Sequence, residues 1–418
     1  MKKTKPATVA IGSVLGQLCK LIPGHLVPKL ARKHRIDQQA RTFTPWSHVV
    51  SLLYAQLTHA IGLNDVCDGL RHHAGKLATI RGAVPPARNT LSHANKTRES
   101  DMMEDLFWGT LDNFKRQDAG FGRHYKGLPR RFKRAVYAID SSTIALVANC
   151  MDWAKHRRRK AAAKLHLRLN LQSFLPAFAI IEEASHHDDT RAQRLCAGLC
   201  EGEIALFDKA YINFAHLFAL AGRGVSWITR AKDNMSYRVC RRLLRKPSGK
   251  ILRDDLIVLT TPKSRAQYPC QLRRVEMLVE LDGEEVVMVF ITNNLEWAAS
   301  SVGALYKSRW GIEVFFKQIK QTLRVCDFLG HSKNAIRWQL WSALLLYVLL
   351  RFQAHLGRWP HSFTRLFTMM RGLLWDRVEL HELLRFYGTA GGPWRMRASP
   401  ETLYLPGLAP PSYGTACG

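Results

Sequence analysis

Near Arg134 the chain changes its apolar period, and that change restricts the fold more than any other feature of the sequence. Residues 1 to about 130 carry apolar side chains at helical spacing, with no good alternating strand. Beyond Arg134, Ala135-Val136-Tyr137-Ala138-Ile139-Asp140 is strand-like and ends in an acid, and Thr143 to Val147 continues it past a turn. Lys164 to Leu171 and Phe174 to Ile181 read as two further strands joined by a turn. Asp189 to Leu199 reads as a helix, Ile204 to Phe207 as a buried strand ending at Asp208, and Asn213 as the cap of a following helix. Val225 to Ile228 makes another strand. Three strands, a helix, a strand and a helix is the order of an α/β sheet domain.

From about 232 to 300 the pattern is β-rich: Leu256 to Leu259, Cys270 to Leu281, and Val286 to Ile291 after an Asp282-Gly283 turn. These read as antiparallel strands of an inserted subdomain, with a basic loop at Lys246 to Lys250. Helical signals resume near Trp297 and run to about Ala354. The apolar run from Leu340 to Leu350 is too short to span a bilayer and reads as a buried helix. The expected units are therefore a helical domain at 1–130, a sheet domain at 131–230 and 299–355 split by an inserted β subdomain at 231–298, and a C-terminal helical region with an irregular tail at 356–418.

Within the resumed helical stretch, residues 306 to 320 read Tyr-Lys-Ser-Arg-Trp-Gly-Ile-Glu-Val-Phe-Phe-Lys-Gln-Ile-Lys. As one helix, Tyr306, Arg309, Glu313, Lys317 and Lys320 fall in a stripe roughly 80° wide. Ile312, Phe315, Phe316, Ile319 and Leu323 form the apolar face beside it. A solvated, salt-bridged surface explains such a stripe as well as a phosphate-handling site does, so other residues must decide.

Charge narrows the choice. The chain has 62 basic and 33 acidic residues, a formal charge of +29, with 47% hydrophobic residues. That is a folded protein whose excess charge favours a polyanionic partner, nucleic acid before an anionic membrane. The nine cysteines are scattered without a Cys-x-x-Cys pair, as expected of free thiols in a reducing cytosol and not of a zinc site. Lys2, Lys3 and Lys5 before an apolar stretch resemble a leader peptide, but Gly12, Ser13, Gly16 and Gln17 interrupt it, and it reads as a first amphipathic helix.

In the helical region, Pro45 opens a run through Val49, Leu52, Leu53 and Leu57, and Asn64 is positioned to cap a short helix carrying Val66 and Leu70. Pro85-Pro86 then precedes a polar segment, 88–98, anchored only by Leu91 and Ala94. Arg88, Asn89, His93, Lys96 and Arg98 are its candidate DNA contacts, in a helix-turn-helix reading. An ordinary surface helix is the competing explanation.

Three acids stand out by position: Asp140 and Asp208 end strands, and Glu313 faces out from a helix. Carboxylates so placed can converge on two Mg²⁺ ions for in-line displacement at a phosphate. Singly, each strand-end Asp more often caps the next turn. Together, in so basic a chain, the catalytic reading prevails.

These residues resemble bacterial insertion-sequence transposases of the DDE, ribonuclease-H-like class, in the branch called insertion sequence family four. The likeness rests on Tyr137-Ala138-Ile139-Asp140, on Phe207-Asp208-Lys209-Ala210-Tyr211, and on the branch's Tyr-x2-Arg-x3-Glu-x6-Lys signature at Tyr306, Arg309, Glu313 and Lys320. Lys209-Ala210 stands where Arg-Gly is frequent. Asp208 and Glu313 are 105 residues apart, and an inserted β subdomain before the Glu is what this branch is known for. The resemblance implies a ribonuclease-H-like mixed sheet preceded by a helical DNA-binding domain. It implies a transposase that uses Mg²⁺ (or Mn²⁺), nicks element ends, forms and reopens a DNA hairpin, and joins the end to target DNA. Asp140, Asp208 and Glu313 would be the catalytic metal ligands, and Tyr306, Arg309, Lys320 and less surely Lys317 the phosphate grips. The partners implied are duplex DNA, as terminal inverted repeats and target, and further copies of the chain in a dimer or larger assembly. Membrane is not among them; the setting is cytoplasmic, on the nucleoid.

Rival readings are a structure-specific nuclease of the same fold and a non-catalytic DNA-binding derivative. His186-His187-Asp188-Asp189 has metal-ligand residue types but reads as a helix cap, and Glu182 and Glu183 are weaker rivals for the first acid. His156 to Lys160 reads as a basic loop meeting DNA backbone. Trp227, Tyr237 and Trp297 could stack on an extruded base, but core packing explains each better.

Overall fold

The computed structural model describes residues 11–36, 38, 40–122, 128–146, 155–157, 160–183, 188–281, 283–324 and 328–386. The first ten residues, His186 and His187, and the Gly- and Pro-rich tail lie outside the described residues.

Seven helices come first: α1 (Val14–Lys20), α2 (Leu26–Lys33), α3 (Pro45–Thr58), α4 (Leu63–His72), α5 (Ala74–Ala78), α6 (Arg88–Thr97) and α7 (Asp101–Gln117). The Thr44 hydroxyl accepts from the Ser47 N–H to cap α3, Pro45 takes the first helical position, and every residue from Pro45 to Leu57 is buried. Helix α4 is capped differently from expectation. Asn64 lies inside it, and Asp65 braces the Gly62 N–H at 2.8 Å because its carboxylate stands in the first turn, facing back.

The sheet begins with β1 (Val136–Leu146), β2 (Lys155–Arg157), β3 (Lys160–Asn170) and β4 (Leu175–Glu183), and continues with β5 (Ile204–Phe207) and β6 (Ser226–Arg230). In space the order is β4-β3-β1-β5-β6, with β3 antiparallel to both neighbours and β1, β5 and β6 parallel. This is the ribonuclease-H-like arrangement. Two expectations change here. No turn separates Asp140 from the stretch at Thr143: β1 runs on as one strand, because β3 pairs with it as far as Leu146. Of the basic run at 156–160, expected as a loop, Arg157 and Lys160 pair with each other between β2 and β3, and residues 158–159 lie outside the described residues.

Strands β7 (Tyr237–Arg242), β8 (Ile251–Leu259), β9 (Leu272–Leu281) and β10 (Glu284–Thr292) pair antiparallel and attach to β6 through β10. The inserted stretch therefore extends the same sheet to ten strands. β7 is absent from the sequence reading because it has no apolar alternation: Arg238 to Arg242 are all exposed.

Helices α8 (Asp188–Cys196) and α9 (Phe214–Gly222) cover one sheet face, with Ile139, Phe207 and Trp227 in their core. The other face carries α11 (Ala299–Ser308), α12 (Trp310–Lys317) and α13 (Lys333–Leu356); the short α10 (Pro262–Gln267) lies in the insertion. α14 (Phe363–Gly372) and α15 (Leu380–Phe386) follow. The stripe at 306–320 is thus not one helix. The chain turns at Arg309, and a π turn at Gln318–Thr322 follows α12, inserting an extra residue into the hydrogen-bond ladder.

Every residue from Trp338 to Leu350 in α13 is buried. The helix packs on α3, α6 and α7 and belongs to one hydrophobic cluster running from Val14 to Leu384. No helix among the described residues is long and apolar enough to cross a membrane. The Asn334 side chain accepts from the Ser100 N–H at 3.0 Å and donates to the Asn95 carbonyl at 3.1 Å, fixing the end of α6 to α13. Because the core is shared, Leu345→Ala should cost about 2–5 kcal/mol and shift helical and sheet signals together in urea unfolding. Two separate transitions would contradict the shared core.

Candidate active site

The parallel pairing of β1 with β5 runs from Val136 opposite Ile204 to Ile139 opposite Phe207 and stops there. Asp140 and Asp208 are the next residue on each strand, so the register sets them side by side on strands about 4.8 Å apart. Asp208 opens the tight turn Lys209–Tyr211 without capping it. Its carboxylate makes no hydrogen bond or ion pair among the described residues. The common structural duty of a strand-end Asp is therefore not performed.

Helix α12 brings the third acid. Arg309, at the α11–α12 joint, lies between two carboxylates: Nη1 donates to Asp140 Oδ2 at 3.0 Å and Nη2 to Glu313 Oε1 at 2.8 Å. The Asp140 side chain is 20% exposed, that of Arg309 12% and that of Glu313 35%. Burial pushes the Asp140 pKa up to about 6; Arg309 and the Ser141 N–H oppose this, while Asp208 and Glu313 add to it. Burial also works against the Arg309 charge, but Tyr306, Asp140, Glu313 and Asp208 outweigh it and hold its pKa above the usual value. The guanidinium is the positive counterweight of a crowded acidic site.

The remaining stripe residues divide. Tyr306 is buried against Phe290, its ring 5.4 Å from Arg309 Cζ, and burial lifts its pKa to about 12. It supports the guanidinium from below. Lys320, in the π turn, donates to the Thr143 carbonyl at 2.5 Å, and burial lowers its pKa. Lys317 is exposed.

Sequence reasoning passed over Trp310, whose side chain is 57% exposed beside Arg309. The available signal was helical phase, since Trp310, Val314 and Lys317 share a face next to Glu313. The aromatics it weighed lie elsewhere: Trp227 is fully buried, and Tyr237 and Trp297 pack against the cores.

On α6, Arg88, Asn89, His93 and Lys96 are exposed, while Leu91, Ala94 and Asn95 face inward. Asn95 Oδ1 accepts from His48 Nε2–H at 2.8 Å. Arg98 departs from its expected role. It donates to the Thr44 and Phe43 carbonyls, lies over the Phe43 ring, and is brought down to about pKa 10 by burial. The chain turns extended at Arg98, which swings it under the α3 entry loop. A cavity of about 540 Å³ opens beside α6, lined in part by Arg35, Arg41, His93 and Thr97.

No group of three His, Cys, Asp or Glu side chains is drawn together as a finished metal site among the described residues. The donor chemistry nonetheless suits a hard divalent cation. Asp140, Asp208 and Glu313 supply carboxylate oxygens, and their mutual repulsion is what such an ion would relieve. The pH consequence has a definite sign. A folded-state pKa raised from 3.8 to about 6 means that this group's contribution to metal-free stability falls as pH rises from about 4 to about 6. Added Mg²⁺ should therefore raise Tm little at pH 5 and fully by pH 7, measured by differential scanning fluorimetry. A metal-induced shift that does not change between pH 5 and pH 7 would remove Asp140 from the ligand set.

Residues 131–349 match the family described as Transposase DDE domain, and residues 12–80 match a domain of unknown function. A Sinorhizobium fredii protein described as transposase y4zB is 29% identical over 77% of this chain and 86% of its own length. Transposase InsG for insertion sequence element IS4 of Escherichia coli is 27% identical, over 48% of this chain and 47% of its own. A piggyBac transposase synaptic complex with hairpin DNA overlays with a TM-score of 0.42 and 8% identity, covering 89% of this chain and 80% of that one, too loose a likeness to carry an argument. With over half its length matched, the chain belongs to the Transposase DDE domain family and is a metal-dependent DNA transposase.

Proposed function

We propose that Asp140, Asp208 and Glu313 are the metal ligands of this transposase and that the ion is Mg²⁺, with Mn²⁺ able to replace it. The observation that carries this is the Arg309 guanidinium bridging Asp140 and Glu313 while the Asp208 carboxylate remains uncommitted. A divalent ion held there would acidify an attacking water or 3′-OH and stabilise the leaving oxygen. Arg309 is then free to exchange a carboxylate for a scissile-strand phosphate, which its fork accepts equally well. Lys317 and Lys320 flank that path as phosphate grips, Tyr306 holds Arg309 in place, and Trp310 offers a face to an unpaired base.

On this reading nicking frees a 3′-OH, a hairpin forms and is reopened, and the end joins target DNA on the nucleoid. Paired ends call for at least a dimer of the chain on DNA. The exposed face of α6 meets the element end through Arg88, Asn89, His93 and Lys96. Charge at so many phosphates makes binding steeply salt-dependent.

Asp208→Asn and Glu313→Gln should bind element ends like wild type in gel-shift assays. Their strand nicking should fall by at least about a hundredfold. Full nicking by either variant would sink the assignment. On α6, Arg88→Ala and Lys96→Ala should each flatten the log Kd against log salt plot by about 0.9. Arg98→Ala should leave that slope alone and lower stability by about 1–3 kcal/mol, since it strips donors from buried carbonyls. The opposite pattern would mean that Arg98 contacts DNA and α6 does not.

A further inference from the structure

Strand β7 closes the far end of the sheet, where among the described residues β8 alone pairs with it and nothing pairs with its other edge. Every residue from Arg238 to Leu243 is exposed, so neither face of the strand is covered. Within nine residues stand Arg238, Arg241, Arg242, Arg245 and Lys246, and no acid. None of these five cations has an ion-pair partner among the described residues. Of the acids nearby, Asp254 takes both arms of Arg273 and Glu276 pairs with Arg274, while Asp255, opposite Arg242 in the β7–β8 register, is buried and forms no ion pair with it.

Charges on an edge strand also discourage unwanted strand pairing. One or two would suffice for that, whereas five unpaired cations repel one another. A second copy added edge to edge would set arginine against arginine. A polyanion relieves both problems, and duplex DNA is the polyanion this enzyme handles.

Position gives the contact a location. From β1, which carries Asp140, the sheet passes through β5, β6, β10, β9 and β8 to β7. Six steps of about 4.8 Å separate β7 from β1 by roughly 29 Å. At about 3.4 Å per base pair this corresponds to about eight base pairs of duplex. We propose that β7 and the turn after it grip the DNA backbone about eight base pairs from the bond being cut. The location rests on the assignment of Asp140 and its companions as the cutting site; the contact itself does not.

The test uses the full chain and duplexes from the DNA flanking its own gene, centred on the bond the wild type nicks, with arms of 20 or 5 base pairs on each side in turn. Arg238→Ala/Arg241→Ala/Arg242→Ala should bind the long-armed duplex at least tenfold more weakly at about 0.15 M salt, with a salt slope flatter by 2 to 3. Trimming one arm to 5 base pairs should bring wild type and variant to equal binding and equal nicking. The corresponding triple Lys variant should match wild type throughout, which separates charge from folding. An unchanged salt slope on long arms, or equal weakening on every arm length, would overturn the proposal. Binding is read separately from nicking: if Asp208→Asn nicks normally while the arm-length effect holds, only the site assignment falls.

Discussion

The structure depends on helix α13 being buried on all sides. A helix that is apolar around its whole circumference cannot lie at a surface, so elements must be packed against every face of it. The sheet side supplies β4, the π turn and, through Phe315 on Tyr347, α12; the N-terminal helices α1, α3, α6 and α7 and the C-terminal α14 and α15 supply the rest. The N-terminal region is therefore not a bead on a linker. Its own longest buried helix, α3, closes the same core, and removing it would expose the face of α13 that it covers. His48 shows how closely the two halves are fitted: its ring lies 4.3 Å from Trp338 of α13, and burial holds its pKa near 3, so it stays neutral.

On that frame the candidate site is an electrostatic compromise. Strand register forces Asp140 and Asp208 together, and α12 adds Glu313 from above, a combination that like-charge repulsion opposes. Arg309 reconciles it, at the joint where α11 gives way to α12. A buried guanidinium satisfied by two carboxylates is stable only as a set, since removing one partner leaves the other charge exposed to a poor dielectric. The same set is poised for exchange. A cation entering among the acids would release the guanidinium, and a phosphate arriving with DNA could receive it.

Much of this was legible in the sequence, for physical reasons. Buried strands announce themselves by apolar runs, so β5 was located to the residue, with Asp208 just past its end, and α13 was identified as buried by its length and composition. The Tyr-x2-Arg-x3-Glu-x6-Lys spacing drew out Arg309 and Glu313, which the fold joins at 2.8 Å, but not the break in the helix that divides the rest of the stripe. What stayed hidden depended on partners distant in sequence. Nothing local tells that β1 passes Asp140 without a turn, because the unbroken run to Leu146 is held by β3. Arg98 looks like any exposed base until the α3 entry loop provides carbonyls for it. Strand β7 lacks a hydrophobic face altogether, and only its pairing with β8 makes it a strand.

The placement of contacts around α13 bears on how recognition and chemistry communicate. Asn334 at its start ties down the end of α6, while His59 and Gln56 at the end of α3 hold the carbonyls of Thr322 and Leu323, in the turn that carries Lys320. The exposed surface of α6 and the end of α12 are thus fixed to the same buried scaffold. On the proposed function, a DNA end seated on α6 would have one orientation relative to the acids. Specificity can then be exerted through geometry: a sequence that seats poorly on α6 presents the wrong phosphate, and the acids, still neutralised by Arg309, have no bond to cut.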